Sequence, residues 1–286
     1  QLVDERIAGI KPCAGALRRG DIFDMATGKP ITGAKVNVEK SGTKPGAWDV
    51  VASGSSNANG QFEVMKIPPG NYRITASAAG FAPRAIGYQE MKDGAGVKQV
   101  IELSAAARFS GTITDAEGKP LANVKISATN VMGIDGRGYN PPERAEVSTD
   151  ANGCFTLTDL PTGYAQGWAR LPGWFHVDSL KLFAIPDPNG AALQMVATGK
   201  IKGKVVNANG KANVDGTINA NPPGDPIGKW GGSMNVAADG TFEFNDVPPG
   251  PYTVSTQPQF PGMRPDPNAK QIRVDSGKTV EVTIKK

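Results

Sequence analysis

An internal repeat is the feature that most constrains how this chain of 286 residues can fold. Gly28-Lys29-Pro30 recurs as Gly118-Lys119-Pro120 and, less closely, as Gly210-Lys211-Ala212, at spacings of 90 and 92 residues. Two further markers follow each copy in the same order, which indicates three copies of one structural unit. These markers are Asn59-Gly60-Gln61-Phe62, Asn152-Gly153-Cys154-Phe155 and Asp239-Gly240-Thr241-Phe242, then Ile67-Pro68-Pro69-Gly70, Leu160-Pro161-Thr162-Gly163 and Val247-Pro248-Pro249-Gly250.

The markers separate short strands. Asn-Gly and Asp-Gly favour the positive φ angles of a two-residue hairpin turn. Pro-Pro-Gly divides two strands, because proline has no N–H to donate to a sheet. Between the markers, apolar and polar side chains alternate, as in Val124, Lys125 and Ile126. This pattern predicts about seven short strands in each unit, which is typical of an antiparallel β-sandwich.

The repeat therefore predicts an all-β chain of three tandem antiparallel, seven-stranded sandwich domains. The expected boundaries are an N-terminal tail at 1–15 and domains at 16–104, 105–199 and 200–286. The linkers between these units are very short. Neighbouring domains are therefore expected to touch and to form a stiff rod.

The repeated pattern resembles the carboxypeptidase regulatory-like domain, a transthyretin-like (prealbumin-like) sandwich of Greek-key type. The second repeat carries the resemblance most clearly, in Gly111–Asp115, Gly118–Val124, Thr149–Phe155 and Leu160–Gly163. The third repeat is more divergent and has Ala212 in place of the proline. The resemblance covers almost the whole chain, and its motifs are specific for the fold rather than for a function.

The resemblance implies a non-catalytic module outside the cytoplasm, and it brings no catalytic residues with it. In a related group, the Cna B-type domains of surface adhesins, a Lys is joined to an Asn or Asp beside a buried acid. Lys35, Lys125 and Lys204 are the candidate donors for such a bond. The final strands, Val97–Leu103 and Thr279–Ile284, carry no Asn or Asp to accept it, which argues against an isopeptide bond here.

Residues suited to catalysis are few. The single histidine, His176, is expected on a strand and cannot build a multi-histidine zinc site. Carboxylates such as Asp115 and Asp239 fall in turns, where they cap the backbone. We therefore expect no enzyme, and a hydrolase using two carboxylates is the weakest alternative.

Calcium is the ion that the turn oxygens of this sequence suit best, although none of the turns matches the twelve-residue calcium loop. Its candidate ligands are Asp135, Asp150, Asp187, Asn152 and Asn189. Turn capping is the favoured role for these side chains, and calcium binding is the alternative. No other metal or cofactor is expected.

The chain has two cysteines, Cys13 and Cys154, and their spacing is not that of a metal site. In an exported protein a pair of cysteines suggests a disulfide. Cys154 alternates with Phe155, so it is expected to point away from the core. A bridge to Cys13 would tie the N-terminal tail to the second domain, and two free thiols remain the alternative.

Long loops rich in Gly and Pro are predicted between the second and third strands of each unit, and each carries an aromatic residue. Aromatic residues on loops can stack on a sugar ring or anchor a protein partner, or they can fold back over their own core. The loops and their aromatic residues are Glu39–Val50 with Trp48, Asn130–Glu146 with Tyr139, and Asn219–Asn235 with Trp230.

Charge and hydropathy exclude some classes of partner. The formal net charge of +4 is small, and Lys200, Lys202 and Lys204 alternate with apolar residues as on the solvent face of a strand, so nucleic acid is not expected. No stretch reaches the length of a membrane span. The family resemblance implies a secreted, periplasmic or cell-surface spacer or accessory segment, with a module binding protein or cell-surface glycan as the alternative.

Overall fold

A computed structural model describes residues 16–93, 96–213, 216–223, 230–257 and 266–286. These residues form β-strands joined by turns. The strands are β1 (Ala16–Asp24), β2 (Lys35–Ser41), β3 (Trp48–Ser55), β4 (Gln61–Ile67), β5 (Gly70–Ser77), β6 (Arg84–Met91), β7 (Gly96–Leu103), β8 (Ala106–Thr114), β9 (Lys125–Gly133), β10 (Glu146–Ser148), β11 (Cys154–Pro161), β12 (Gly163–Arg170), β13 (Trp174–His176), β14 (Leu182–Ile185), β15 (Ala191–Ala197), β16 (Gly199–Val206), β17 (Thr217–Asn221), β18 (Gly232–Asn235), β19 (Thr241–Val247), β20 (Gly250–Ser255), β21 (Lys270–Val274) and β22 (Thr279–Lys285).

The strands pair into sheets that recur along the chain, which confirms the predicted all-β sandwich class. In the first unit, β1–β7, the sheets have the orders β4-β1-β7 and β3-β2-β5-β6. In the second unit, β8–β15, they are β11-β8-β15-β13 and β10-β9-β12-β14. In the third unit, β16–β22, they are β19-β16-β22 and β18-β17-β20-β21. The chain crosses repeatedly between the two sheets of a unit, as in a Greek key.

Two details of the predicted sandwich are corrected. The first and last long strands of each unit pair in parallel, β1 with β7, β8 with β15 and β16 with β22, while the other strand pairs are antiparallel. The second unit has eight strands among its described residues rather than seven, because the short strand β13 adds to the edge of one sheet.

A glycine in the first strand of each unit allows the parallel strand to approach. A Cβ atom on Gly20 would lie 1.8 Å from the carbonyl oxygen of Gln99, and one on Gly111 would lie 1.9 Å from that of Ala191. The third unit repeats the arrangement, since a Cβ on Gly203 would lie 2.1 Å from the carbonyl oxygen of Val282. These glycines are therefore required by the strand pairing rather than by a turn.

The turns that carry the markers are capped by Asp or Asn side chains. Asn57 Oδ1 accepts the backbone N–H groups of Asn59 and Gln61, at 2.9 and 3.0 Å. The Asn-Gly sequence nevertheless does not close a hairpin, because β3 pairs with β2 and β4 pairs with β1. The marker instead lies where the chain crosses from one sheet to the other, and Gly60 has the positive φ, 75°, that this turn needs.

The predicted core positions are buried. The described residues pack into three hydrophobic clusters, one between the sheets of each unit. Of the predicted positions, Val214 lies outside the described residues, and the others are buried. They are Ile22, Val36, Val38, Phe62, Val64, Ile113, Val124, Ile126, Phe155, Leu157, Val205, Phe242 and Phe244. The outward lysines Lys200, Lys202 and Lys204 are exposed, as predicted.

Arg18 on β1 is the exception to the core pattern, because its side chain is fully buried. Its position is two residues before Gly20, where the other units have the apolar Phe109 and Ile201. One guanidinium nitrogen, Nη2, lies 3.4 Å from Gln99 Oε1, whereas Nε and Nη1 make no hydrogen bond to any described residue. Burial lowers the pKa of Arg18, and the poorly satisfied charge weakens the first unit.

We predict that Arg18→Met stabilises the protein. An unbranched apolar side chain fills the site without a charge to desolvate, so the free energy of unfolding should rise by about 1–3 kcal/mol. Denaturant unfolding measures the change. Arg19→Met, on the exposed face of the same strand, is the control and should change stability by less than about 1 kcal/mol. A loss of stability in Arg18→Met without a loss in Arg19→Met would contradict this account.

Candidate functional site

The segments that carry the predicted loop aromatics are shorter than expected, because residues at both ends belong to the flanking strands. The connections comprise residues 42–47, 134–145 and 222–231. Trp48 is therefore the first residue of β3 rather than a loop residue. The structure places the three aromatics in three different environments.

Tyr139 lies at the contact between the first and second units and is 2% exposed. Its hydroxyl donates a 2.6 Å hydrogen bond to the carbonyl oxygen of Ala82, in the first unit. The guanidinium carbon of Arg84 lies 4.9 Å from the centre of the Tyr139 ring. Burial, the largest influence, raises the pKa of Tyr139 to about 12. Tyr139 therefore fastens the second unit to the first and is not an exposed stacking surface here.

We call the contact between the first two units the first junction. It joins residues 78–85 and 102–107 to the connection at residues 134–145. Backbone hydrogen bonds reinforce it. The amide of Ala85 donates to the carbonyl oxygen of Asn140 at 2.7 Å. Ala82 is fully buried and belongs to the hydrophobic cluster of the second unit, against which Met25 of the first unit also packs. Because a first-unit residue completes the second core, the two units share packed apolar surface.

A buried ion pair on the β3-β2-β5-β6 sheet of the first unit extends the first junction. Arg73 Nε lies 2.7 Å from Glu39 Oε2, and Arg73 Nη1 donates to the carbonyl oxygen of Pro142 at 3.0 Å. Trp48 covers this pair, with its ring centre 3.8 Å from the Arg73 guanidinium carbon, in a cation–π contact. Trp48 thus supports the arginine that reaches the second unit.

Trp230 packs on its own unit. Its ring makes edge contacts with Phe244 and Tyr252, at centroid separations of 6.0 and 5.5 Å, and it borders the third hydrophobic cluster. This placement favours the covering role that the sequence left open. A binding role for Trp48, Tyr139 or Trp230 remains a prediction.

The second and third units meet through a smaller set of described contacts, which we call the second junction. Thr198 Oγ1 lies 3.3 Å from Asp246 Oδ1, and Ser276 Oγ donates to the carbonyl oxygen of Ala197 at 3.1 Å. No described residue of the second unit belongs to the hydrophobic cluster of the third. Polar, exposed contacts of this kind contribute little to stability.

The candidate calcium ligands occupy separate turns. Asp150 Oδ1 accepts the amides of Asn152 and Cys154, Asp135 accepts that of Arg137, and Asp187 accepts that of Asn189. Among the described residues, no group of three His, Cys, Asp or Glu side chains is placed to hold a metal ion. The carboxylates considered for hydrolysis also cap turns, as Asp239 does for Thr241.

Cys154 is exposed, as its alternation with Phe155 predicts. Cys13 lies outside the described residues, so the disulfide stays a prediction. The candidate isopeptide donors Lys35, Lys125 and Lys204 all have exposed positions. No helix within the described ranges is long and apolar enough to cross a bilayer.

An aromatic cleft that the sequence analysis did not predict lies at one edge of the second unit. Its volume is about 530 Å³, similar to the 510 Å³ of the groove along the first junction. Trp168, at the end of β12, and Trp174 and Phe175, on β13, supply its apolar walls. The full lining is Asn123, Lys125, Trp168, Ala169, Arg170, Leu171, Pro172, Trp174, Phe175, His176 and Ser179.

His176 forms part of this cleft and is 5% exposed. Burial lowers the pKa of His176, although Asp178 opposes the shift, so the imidazole is neutral at pH 7. Nδ1 accepts the amide of Ala169 at 3.5 Å, which leaves the proton on Nε2. Nε2 is buried and makes no hydrogen bond to any described residue.

A one-residue difference between repeats is the signal that could have revealed the cleft. Tyr72 and Tyr252 stand two residues after the glycine of their Pro-Pro-Gly markers and are buried, whereas Tyr164 directly follows Gly163 and is exposed. A shift of one residue turns each side chain of a strand to the opposite face. β12 therefore directs small residues inward and large ones, including Trp168, outward.

We predict that Tyr139→Phe destabilises the protein by about 1–2 kcal/mol, because the bond to Ala82 is lost inside a buried contact. Thermal or denaturant unfolding measures the change, with Tyr164→Phe, an exposed phenol, as control. The tyrosine pKa is higher in the folded state than in the unfolded state. Stability from Tyr139 is therefore present below pH 10 and lost between about pH 10 and 12. Equal losses in both variants would contradict the role given to Tyr139.

Comparison with solved structures finds proteins of low sequence identity, two of them pilins. The streptococcal ancillary pilin is 13% identical, with 95% of this chain and 99% of that chain covered and a TM-score of 0.35. BcpA, the major pilin subunit of Bacillus cereus, is 13% identical over 95% and 99%, with a TM-score of 0.28. The Bacillus anthracis TIE protein is 16% identical over 95% of this chain, which spans 50% of that protein, with a TM-score of 0.26. No curated protein sequence matches the chain.

A family model gives the assignment. The model of the carboxypeptidase regulatory-like domain matches residues 19–104 and 108–175, more than half of the chain. The two matched segments coincide with the first unit and most of the second, where the repeat markers are clearest. The chain belongs to the carboxypeptidase regulatory-like domain family.

Proposed function

We propose that this chain is a non-catalytic structural and interaction module that works outside the cytoplasm, as a spacer or accessory segment of a surface, secreted or periplasmic protein. Its three units are domains, at 16–104, 105–199 and 200–286. The family supports this proposal, since its members are described as regulatory-like domains. A spacer holds two parts of a larger assembly at a fixed separation, so its domains must not turn freely against each other.

The first junction is the observation that carries the proposal. Ala82 of the first unit completes the core of the second, and Tyr139 and Arg73 make buried polar contacts across the same boundary. Independent domains on a flexible tether do not share a core. The first two domains therefore form the stiff part of the spacer, and the third is attached through the smaller second junction.

The carboxylates support the non-catalytic assignment. A glycoside hydrolase needs two carboxyl groups facing one cleft, about 5–9 Å apart. In the described residues, Asp115, Asp150 and Asp239 are instead engaged as turn caps, each by backbone amides of its own turn. The described lining of the aromatic cleft contains neither Asp nor Glu. A binding module is thus the better second candidate.

Nuclear magnetic relaxation of backbone ¹⁵N nuclei in the whole chain tests the spacer. We expect amides of the first and second domains to fit one common rotational diffusion tensor. Tyr139→Ala should separate the two domains into different tensors, because it removes the ring and the bond to Ala82. Tyr164→Ala is the matched control and should leave the common tensor intact. Separate tensors in the unmodified protein would overturn the proposal.

A further inference from the structure

The aromatic cleft of the second unit has the properties of a ligand site that the spacer does not use. Trp168 is 43% exposed on the outer face of β12. Trp174 packs against the core of the second unit, and this packing restricts the motion of its indole. An exposed indole beside a fixed one offers flat apolar surface to the faces of a ring-shaped ligand.

The backbone around the cleft is well defined. Leu171, Pro172, Gly173 and Trp174 form a tight turn between β12 and β13, closed by a 3.0 Å bond from the Trp174 amide to the carbonyl oxygen of Leu171. Gly173 has a φ of 78°, which this turn requires. The aromatic walls are therefore carried by strands and a short turn rather than by a long loop, as a preformed site demands.

The cationic side chains and the imidazole that line the cleft act mainly as hydrogen-bond donors. Lys125 and Arg170 carry positive charge, and the neutral His176 holds an unused N–H group at Nε2. Asn123 and Ser179 can each donate as well as accept. A ligand that satisfies these groups must itself be rich in acceptor oxygens.

The charged side chains in and around the cleft indicate the charge of its ligand. The two cations share one acid outside the cleft, Glu146, which lies 3.6 Å from Lys125 Nζ and 2.5 Å from Arg170 Nη2. The hydrogen bond from Arg170 is the largest influence that lowers the pKa of Glu146, so this acid stays ionised. Asp178, which acts on His176, is a second nearby acid, but neither it nor Glu146 belongs to the lining. The charged side chains that line the cleft are therefore Lys125 and Arg170, which a carboxylate on the ligand would balance.

We propose that the cleft bounded by Trp168, Trp174 and Arg170 binds an acidic saccharide, with a pyranose ring stacked on indole and its carboxylate facing Arg170 and Lys125. Sugar hydroxyl and ring oxygens supply the acceptors for Asn123 and Ser179. An acidic peptide has the charge but lacks the flat apolar ring faces that match two indoles. The site differs from the predicted aromatics Trp48, Tyr139 and Trp230.

The experiment measures binding of trigalacturonate to the whole chain by calorimetry and by backbone amide chemical shifts. We expect shifts to centre on Asn123, Lys125, His176 and Ser179. Maltotriose, a neutral trisaccharide, and hexaglutamate, an acidic peptide, are the comparison ligands and should bind at least about tenfold more weakly. Failure of trigalacturonate to bind, or equal or tighter binding of either comparison ligand, would overturn the proposal.

Variants locate the site. Trp168→Ala and Arg170→Gln should each reduce the affinity for trigalacturonate at least about tenfold, while the thermal unfolding midpoint confirms that both variants fold. Tyr164→Ala is the matched control, because Tyr164 is 47% exposed on the same face of β12 and lies outside the cleft. It should bind like the unmodified chain. A loss in Tyr164→Ala as large as in Trp168→Ala, or no loss in Trp168→Ala, would contradict the assignment to this cleft.

Discussion

The first junction is the interaction on which the organisation of this molecule depends. A sandwich of about 90 residues buries a modest core, and its exposed end is a weakness of small domains. Here the end of the first unit is covered, because Ala82 enters the second core and the hydroxyl of Tyr139 binds its carbonyl oxygen. A residue of the first unit thereby packs into the second core, which is the kind of contact between neighbouring units that stabilises repeat proteins.

The sequence predicted the units well because their signals are local. Proline and glycine act on the backbone at their own positions, so Pro68-Pro69-Gly70 separates β4 from β5 wherever those strands pack. The same local rules could not tell which strands pair. Asn59-Gly60 therefore suggested a hairpin, although the chain at that turn leaves one sheet and joins the other.

The sequence pattern could not predict the contacts between units. An aromatic in a Gly- and Pro-rich connection looks the same whether it faces solvent, its own core or a neighbouring unit. Trp230 and Tyr139 show two of these outcomes. Arg18 gave the opposite difficulty: a charged residue at an alternating core position looks exposed, and only the comparison with Phe109 and Ile201 reveals the inward register. The cleft was not predicted for a related reason. Its signal is that the second repeat has one residue fewer between the marker glycine and the tyrosine than the other two repeats.

The second unit differs from the other two in the connection that contacts the first unit and in the strands that line the cleft. Its 134–145 connection contacts the first unit, while β12 and the added strand β13 supply the walls of the aromatic cleft. The scaffold stays constant where glycines and capped turns demand it. The differences that form the cleft are one strand register, in β12, and one added edge strand, β13.

Hydrogen exchange at the amide of Ala85 tests the central claim most directly, because this first-unit N–H donates to Asn140 of the second unit. If the two units share a lasting interface, the Ala85 amide exchanges nearly as slowly as that of Ile113, which bonds within the second core. Exchange as fast as at the exposed turn amide of Asn59 would mean that the units separate freely and that the shared core is not maintained in solution.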